Sequence, residues 1–153
     1  TLVQIDNCSW KFYTLLVELT YFKRIMSESI HLVVRFKTKP SSIYEAWLDS
    51  DGHSQMTGGV ANCSNLIGGS FNAWDGYIEG QNLNLIPNKE INQTWRTSEF
   101  QDDDKDSQLT IRLEEIGNET ELTLIHTNIP EGQTQYEQGW KEHYFQPMHD
   151  YFD

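Results

Sequence analysis

A chain of 153 residues, 37% hydrophobic and 12% aromatic, is one domain's worth of globular protein and can bury roughly two-thirds of its unfolded surface. Eleven basic against 23 acidic side chains leave a formal charge of −12, which excludes broad nucleic-acid binding through clustered cations and disfavours an anionic membrane surface. No run approaches the ~20 apolar residues of a membrane-spanning helix, and Cys8 and Cys63 are too few for a disulfide framework, so a reducing, cytoplasmic setting is expected.

The charge is uneven. Residues 1–25 hold Lys11, Lys23 and Arg24 against Asp6 and Glu18, whereas residues 26–153 hold 8 basic and 21 acidic side chains. Trp10, Phe12, Leu15, Leu16, Leu19, Phe22 and Ile25 have the spacing of an amphipathic helix. Glu18 interrupts the apolar run and the basic pair follows it, which is not the order of a signal peptide. Two readings stay open: a segment packed on the domain, or an N-terminal extension over 1–25 ahead of a domain at 26–153 that starts at Met26-Ser27-Glu28-Ser29.

From Ser29 the pattern turns regular. Ile30, Leu32, Val34 and Phe36 alternate with His31, Arg35 and Lys37, a strand with one buried face. Pro40-Ser41-Ser42 opens a helix through Trp47. Asp49 to Gly52 is expected to end it, with a short irregular piece from His53 to Gly59. An antiparallel meander follows, with strands near 60–64, 68–74, 77–86, 90–98, 108–116 and 120–127 and turns at Gly68-Gly69, Asp75-Gly76, Pro87-Asn88 and Gly117-Asn118. Asp102 to Asp106 reads as a solvated loop. From about Gln133 to Phe152 the period becomes helical through Trp140, Tyr144, Met148 and Tyr151. Pro147 should kink that helix or end its regular part near Gln146. Strand, short helices, meander and terminal helix together describe an α+β sheet curled around the last helix.

Several motifs keep a recognisable order: Thr57-Gly58-Gly59, Gly68-Gly69-Ser70-Phe71, Asp75-Gly76-Tyr77-Ile78-Glu79-Gly80, Leu85-Ile86-Pro87-Asn88-Lys89-Glu90-Ile91, Thr94-Trp95-Arg96, Thr120-Glu121-Leu122-Thr123-Leu124, Asn128-Ile129-Pro130 and Gly139-Trp140 before Tyr144-Phe145. In these the chain from about 29 to 153 resembles the activator of heat-shock protein 90 ATPase family. The resemblance implies the helix-grip fold of the START-like (SRPBCC) superfamily: a curved antiparallel sheet of six to seven strands wrapped around a long C-terminal helix over a cavity, with two short helices after the first strand. It is a resemblance to the C-terminal domain of the eukaryotic co-chaperone. Residues 1–25 leave no room for that protein's N-terminal domain, so direct stimulation of the chaperone's ATPase is not expected.

Inward-facing side chains with polar tips are Trp95, His126, Trp140 and Tyr144, and Trp47, Trp74 and Tyr77 are candidates at the rim. An empty apolar void of ~300 Å³ would cost on the order of 7 kcal/mol at ~24 cal/mol per Å³. The space between sheet and helix must therefore be filled by side chains, water or a ligand, and core packing competes with ligand contact for every one of these aromatics. His126 either orients a ligand as a near-neutral base or sits as a buried, hydrogen-bonded imidazole. His53 reads as a loop residue, while His143 and His149 fall on the outer or flanking face of the last helix. No histidine has metal-ligand spacing, no glycine pair precedes the Gly-Lys-Ser/Thr of a phosphate loop, and Cys63 reads as structural. Neither metal nor cofactor is expected.

Three functions are carried forward. The first is non-enzymatic capture of a small hydrophobic or amphipathic ligand between sheet and helix, in a stress-response context. The second is an accessory role on heat-shock protein 90 through the acidic surface. The third is a polyketide cyclase-like or hydratase-like enzyme, which needs a second polar group beside His126. Glu79, Glu121 and Arg96 are its candidates, with Glu121 and Arg96 expected on the opposite strand faces.

Overall fold

In the computed structural model the described residues are 14–19 and 27–153. Residues 14–19 are helical, and Leu15, Leu16, Val17 and Leu19 in it are more than half exposed. Trp10, Phe12, Phe22, Ile25, Cys8 and the junction at Met26 lie outside the described residues.

Six strands form one antiparallel sheet: β1 (Glu28–Phe36), β2 (Ser70–Ala73), β3 (Ile78–Ile86), β4 (Glu90–Thr97), β5 (Ser107–Ile116) and β6 (Glu119–Ile129). Their spatial order is β1-β6-β5-β4-β3-β2. Strands β2 to β6 are thus a plain meander, and β1 closes on β6 with Ile30 opposite His126 and Phe36 opposite Thr120. The period-2 alternation sets which face is inside. Ile91, Gln93, Trp95 and Thr97 of β4 are buried, as are Ser107, Leu109, Ile111 and Leu113 of β5 and Thr120, Leu122, Leu124 and His126 of β6. The intervening residues carry the solvated face, where Arg35–Glu121, Arg96–Asp106 and Arg112–Glu90 pair at 3.1, 2.9 and 3.0 Å.

Two helices follow β1, α1 (Pro40–Leu48) and α2 (Ser50–Thr57). The second corrects the irregular reading of 53–59. The Asp49 carboxylate accepts from Gly52 N–H at 2.8 Å, and Gly58, left-handed at φ 83°, closes the other end with its N–H on the Ser54 carbonyl. Two good caps thus stabilise a helix whose polar sequence shows little periodicity. The 60–64 stretch likewise contributes only the isolated bridge Asn62–Asn72, not a strand. Backbone groups there bond to helix and loop instead: Cys63 N–H to Ser50 Oγ and Ala61 N–H to Ser54 Oγ, each 2.9 Å.

The C-terminal helix packs across the sheet in three continuous pieces: α3 (Tyr136–Trp140), a π-helical turn (Lys141–Phe145) and α4 (Gln146–Phe152). Pro147 neither ends nor breaks it. The Gln146 N–H reaches back to the Lys141 carbonyl, a longer span than the α repeat. This shifts the ladder so that Pro147 enters in the first turn of a renewed α segment, where a missing N–H is tolerated. The wide turn also lets the adjacent Tyr144 and Phe145 both point inward. The last residue ties the helix down: the Asp153 carboxylate accepts from Lys37 N–H at 2.8 Å and pairs with His149 at 2.7 Å. His149 in turn lies 4.7 Å from the Phe36 ring centroid.

Candidate functional site

The space between sheet and helix divides into a packed interior and an open cleft. In the interior, Trp47, Trp95, His126, Trp140 and Tyr144 are all buried. Trp95 meets His126 at 4.5 Å and Trp140 at 5.7 Å between ring centroids; Trp140 meets Tyr144 at 4.7 Å, and Tyr144 meets Trp47 at 5.3 Å. Trp47 is therefore inside, 2% exposed, rather than at the rim. It is there because α1 lays Ile43, Ala46 and Trp47 on one face toward the sheet, and its indole N–H finds Gln93 Oε1 at 3.2 Å.

His126 is fully buried, with both ring nitrogens occupied. Its Nδ1 accepts from Trp140 Nε1 at 3.1 Å, so the proton lies on Nε2, which donates to Ser107 Oγ at 2.8 Å. The Ser107 hydroxyl in turn donates to the Trp95 carbonyl at 2.7 Å. Burial holds the imidazole's pKa down to about 3. A neutral ring whose lone pair and proton are both engaged has neither atom free to act on a substrate. Glu121 and Arg96 lie in the outer-face pairs, and Glu79 stands opposite Arg96 in the β3–β4 register. None of the three approaches His126 as a second polar group.

His53 is one interior residue that sequence reasoning missed. It lies on α2, 2% exposed, and not in a loop. Its Nδ1–H donates to the Trp47 carbonyl and its Nε2 accepts from the Tyr144 hydroxyl, both at 2.9 Å. Burial lowers the histidine's pKa and raises that of the Tyr144 phenol. The Asp49–Gly58 cap pair was the available signal, because a helix starting at Ser50 turns His53 inward. Gln93 and Asn82 were also missed. Gln93 Nε2 donates to Asn82 Oδ1 at 2.9 Å, and Asn82 Nδ2 ties the 64–66 loop through the Ser64 and Leu66 carbonyls. Cys63 is half-buried, its thiol pushed up to about 11 by burial and by Asp49, consistent with an inert structural residue.

The cleft, about 610 Å³, opens between the start of the C-terminal helix and the β2–β3 corner. Its walls are Trp74, Tyr77 and Trp95 on the sheet side and Tyr136, Trp140 and Tyr144 on the helix side, with Gly139 between. Five of the seven residues singled out from sequence thus line it, while Trp47 and His126 stand behind the wall. Tyr77 is a rim residue, 37% exposed, its hydroxyl bonded to Glu99 Oε2. Tyr136, which the sequence did not single out, bonds its hydroxyl to Thr97 Oγ1 at 2.6 Å. Trp74 is held at φ 53°, followed by Asp75 at 56° and Gly76 at 84°. A tryptophan in the left-handed region is a strained exception. Its ring lies against Gly59, where an added Cβ would come within 2.6 Å, and meets His143 at 5.6 Å. His143 is exposed at the cleft mouth and His149 flanks Phe36, as expected for both. Among the described residues, Trp74 Nε1 is the one buried side-chain polar atom with no hydrogen-bond partner, and no group of three or more His, Cys, Asp or Glu is placed to hold a metal ion.

Comparison with known proteins places this geometry. The model of the family described as activator of Hsp90 ATPase homolog 1-like protein matches residues 37–153. A Dictyostelium discoideum protein named activator of 90 kDa heat shock protein ATPase homolog is 28% identical over 130 residues, which are 84% of this chain and 34% of that one. The Homo sapiens homolog 1 is 27% identical over 124 residues, 80% of this chain and 36% of that one. The chain therefore spans about a third of the length of these relatives. Among solved structures, an HSP90 activator from Plasmodium falciparum superposes with a TM-score of 0.74 at 22% identity, covering 80% of this chain and 94% of that one. CalU16 from Micromonospora echinospora superposes with 0.67 at 22% identity, covering 81% and 65%. These two likenesses establish the fold. A six-stranded antiparallel sheet carrying a C-terminal helix, and a match running from the end of β1 to the last residue, make this chain a member of the activator of Hsp90 ATPase homolog 1-like family, with the START-like helix-grip fold.

Proposed function

We propose that this domain is a non-enzymatic, co-chaperone-like accessory module that docks on heat-shock protein 90 in the cytoplasm. The observation that carries this reading is the family match across residues 37–153, together with relatives named as activators of that chaperone. The interior chemistry agrees with it, since both buried histidines spend their ring nitrogens on packing partners. A formal charge of −12 suits association with a basic surface, which long-range attraction accelerates and salt weakens. Immobilised full chain should retain purified heat-shock protein 90 at low salt and release it at high salt. No retention above bare resin at low salt would overturn the reading.

A second reading is supported by the cleft itself. Its volume of about 610 Å³ falls within the ~300–1,000 Å³ range of small-molecule sites, and aromatic side chains form its walls. On this reading the domain holds a small hydrophobic or amphipathic ligand between sheet and helix, contacted by Trp74, Tyr77, Trp95, Trp140 and Tyr144, with Trp47 and His126 shaping the wall from behind. A chain that binds no neutral aromatic probe up to its solubility limit would end this reading.

A further inference from the structure

The cleft has two levels of opposite chemistry. Its floor is Ile78, Trp95, Tyr136, Trp140 and Tyr144, all buried. Its rim on the helix side is Gln135, Gln138, Glu142 and His143, all exposed. Neighbouring floor rings meet at steep angles rather than in a stack, 85° between Trp95 and Tyr136 and 57° between Trp140 and Tyr144. With Trp74 and Tyr77, six aromatic side chains line about 610 Å³. The face of an aromatic ring is the negative side of its quadrupole, and a cation within about 6 Å of a ring centroid is attracted to it.

The rim adds charge with the same preference. No Lys or Arg lines the cleft, and Glu142 is the carboxylate among its lining residues. Glu142 Oε1 accepts from Gln138 Nε2 at 2.7 Å. A second carboxylate, Glu99, is tied to the same mouth: its Oε2 accepts from the Tyr77 hydroxyl and from Gln135 Nε2, both on residues that line the cleft. These donors are neutral. They orient the two carboxylates, leave each with unused lone pairs and cancel none of the charge. Among the described residues the ion-paired Lys and Arg side chains go elsewhere, Arg35 to Glu121, Arg96 to Asp106, Arg112 to Glu90 and Lys141 to Glu137. The mouth of an aromatic cleft thus carries two carboxylates with no basic partner, on a chain whose formal charge is −12.

Building on the ligand-capture reading, we propose that the cleft binds a lipophilic organic cation, an alkylated ammonium seated at the rim between the rings and the carboxylates of Glu99 and Glu142, with its apolar body on the buried floor. The aromatic walls alone would take any apolar body, and the two carboxylates set the sign of the charge it carries. An anion would meet both of them and no counter-charge. A metal ion is not the occupant, since among the described residues no group of three or more His, Cys, Asp or Glu is placed to hold one. An alkylated ammonium brings its own apolar surface to the rings, the combination that aromatic cages recognise.

The test uses the full chain at pH 8 and a matched pair of probes, (2-naphthylmethyl)trimethylammonium and 2-neopentylnaphthalene, of nearly the same shape and differing in a charged nitrogen against a neutral carbon. Equilibrium dialysis at low salt should find the cation bound about tenfold more tightly than its neutral counterpart. The double variant Glu99→Gln/Glu142→Gln keeps the hydrogen-bonding shape and removes both charges. It should weaken cation binding about fivefold while binding of the neutral probe holds within about twofold. Equal binding of the two probes by the unmodified chain would overturn the cation assignment and leave the ligand-capture reading standing. Absence of binding by either probe would overturn both. Cation binding that the folded double variant leaves unchanged would mean adsorption to the acidic surface at large, and would overturn the proposal.

Discussion

The inner and outer ends of the sheet–helix interface are built from the same residue types to opposite effect. At the inner end Trp47, His53, His126, Trp140 and Tyr144 lie ring against ring, and every one of their side-chain polar atoms has a partner. At the outer end Trp74 and Tyr77 face a helix that presents glycine, and one indole N–H goes unmet. Aromatic content does not tell a packed interior from an open cleft. Hydrogen-bond satisfaction and filled volume do, because a close-packed interior tolerates neither an orphan donor nor a void without cost.

That contrast can be broken in three ways. The largest expected effect is at the inner end. Trp140→Ala removes a buried indole and strands His126 Nδ1, so denaturant unfolding should show a loss of about 3–5 kcal/mol. His143→Ala, at the exposed mouth, should change stability by no more than about 0.5 kcal/mol. Similar losses at the two positions would dissolve the distinction.

The second concerns acid. His126 and His53 are held neutral by burial, so their folded pKa values lie below the ordinary 6.5. Above pH ~6.5 neither histidine binds a proton in either state and stability is indifferent to them. Below it the unfolded chain takes up protons that the native chain refuses; both residues then destabilise the fold, and His126 does so by up to about 1.4 kcal/mol per pH unit. For His126 this continues down to its folded value of about 3. Urea midpoints measured between neutrality and pH ~5 should fall accordingly, and more shallowly in His126→Gln. A midpoint unchanged across that window would mean that the buried rings accept protons freely.

The smallest effect belongs to the cleft. Gly139→Ala adds a methyl group where nothing stands within 4 Å, and should raise stability by about 0.5–1 kcal/mol through helix propensity. A loss instead would show that the position is already crowded.

Much of this arrangement was legible from residue order. The alternation in β4, β5 and β6 named the buried face, and so put His126 and Trp95 inside before any coordinate did. The helical period after Gln133 placed Trp140, Tyr144 and Met148 on the gripping face. Three things were not legible. His53 read as a loop residue because α2 is polar and short, its stability coming from caps rather than a stripe. Trp47 read as a rim residue because a one-dimensional pattern says which face of α1 is apolar but not how deeply the helix sinks. Pro147 was expected to kink the helix or end its regular part near Gln146; that it is instead taken up by a π-helical turn at Lys141–Phe145 was not legible, because such a hydrogen-bond shift leaves no mark in the residue pattern.

Residue order alone determined the strand faces, the antiparallel meander and the gripping helix, since periodicity and turn chemistry are local and each strand needs only its neighbours to express them. Tertiary structure alone decided which aromatics became core and which became wall. That outcome depends on whether a ring finds its partner across the gap, as the Trp140 indole does at His126 and the Trp74 indole does not. Such pairings join residues far apart in the chain, and no local pattern encodes them.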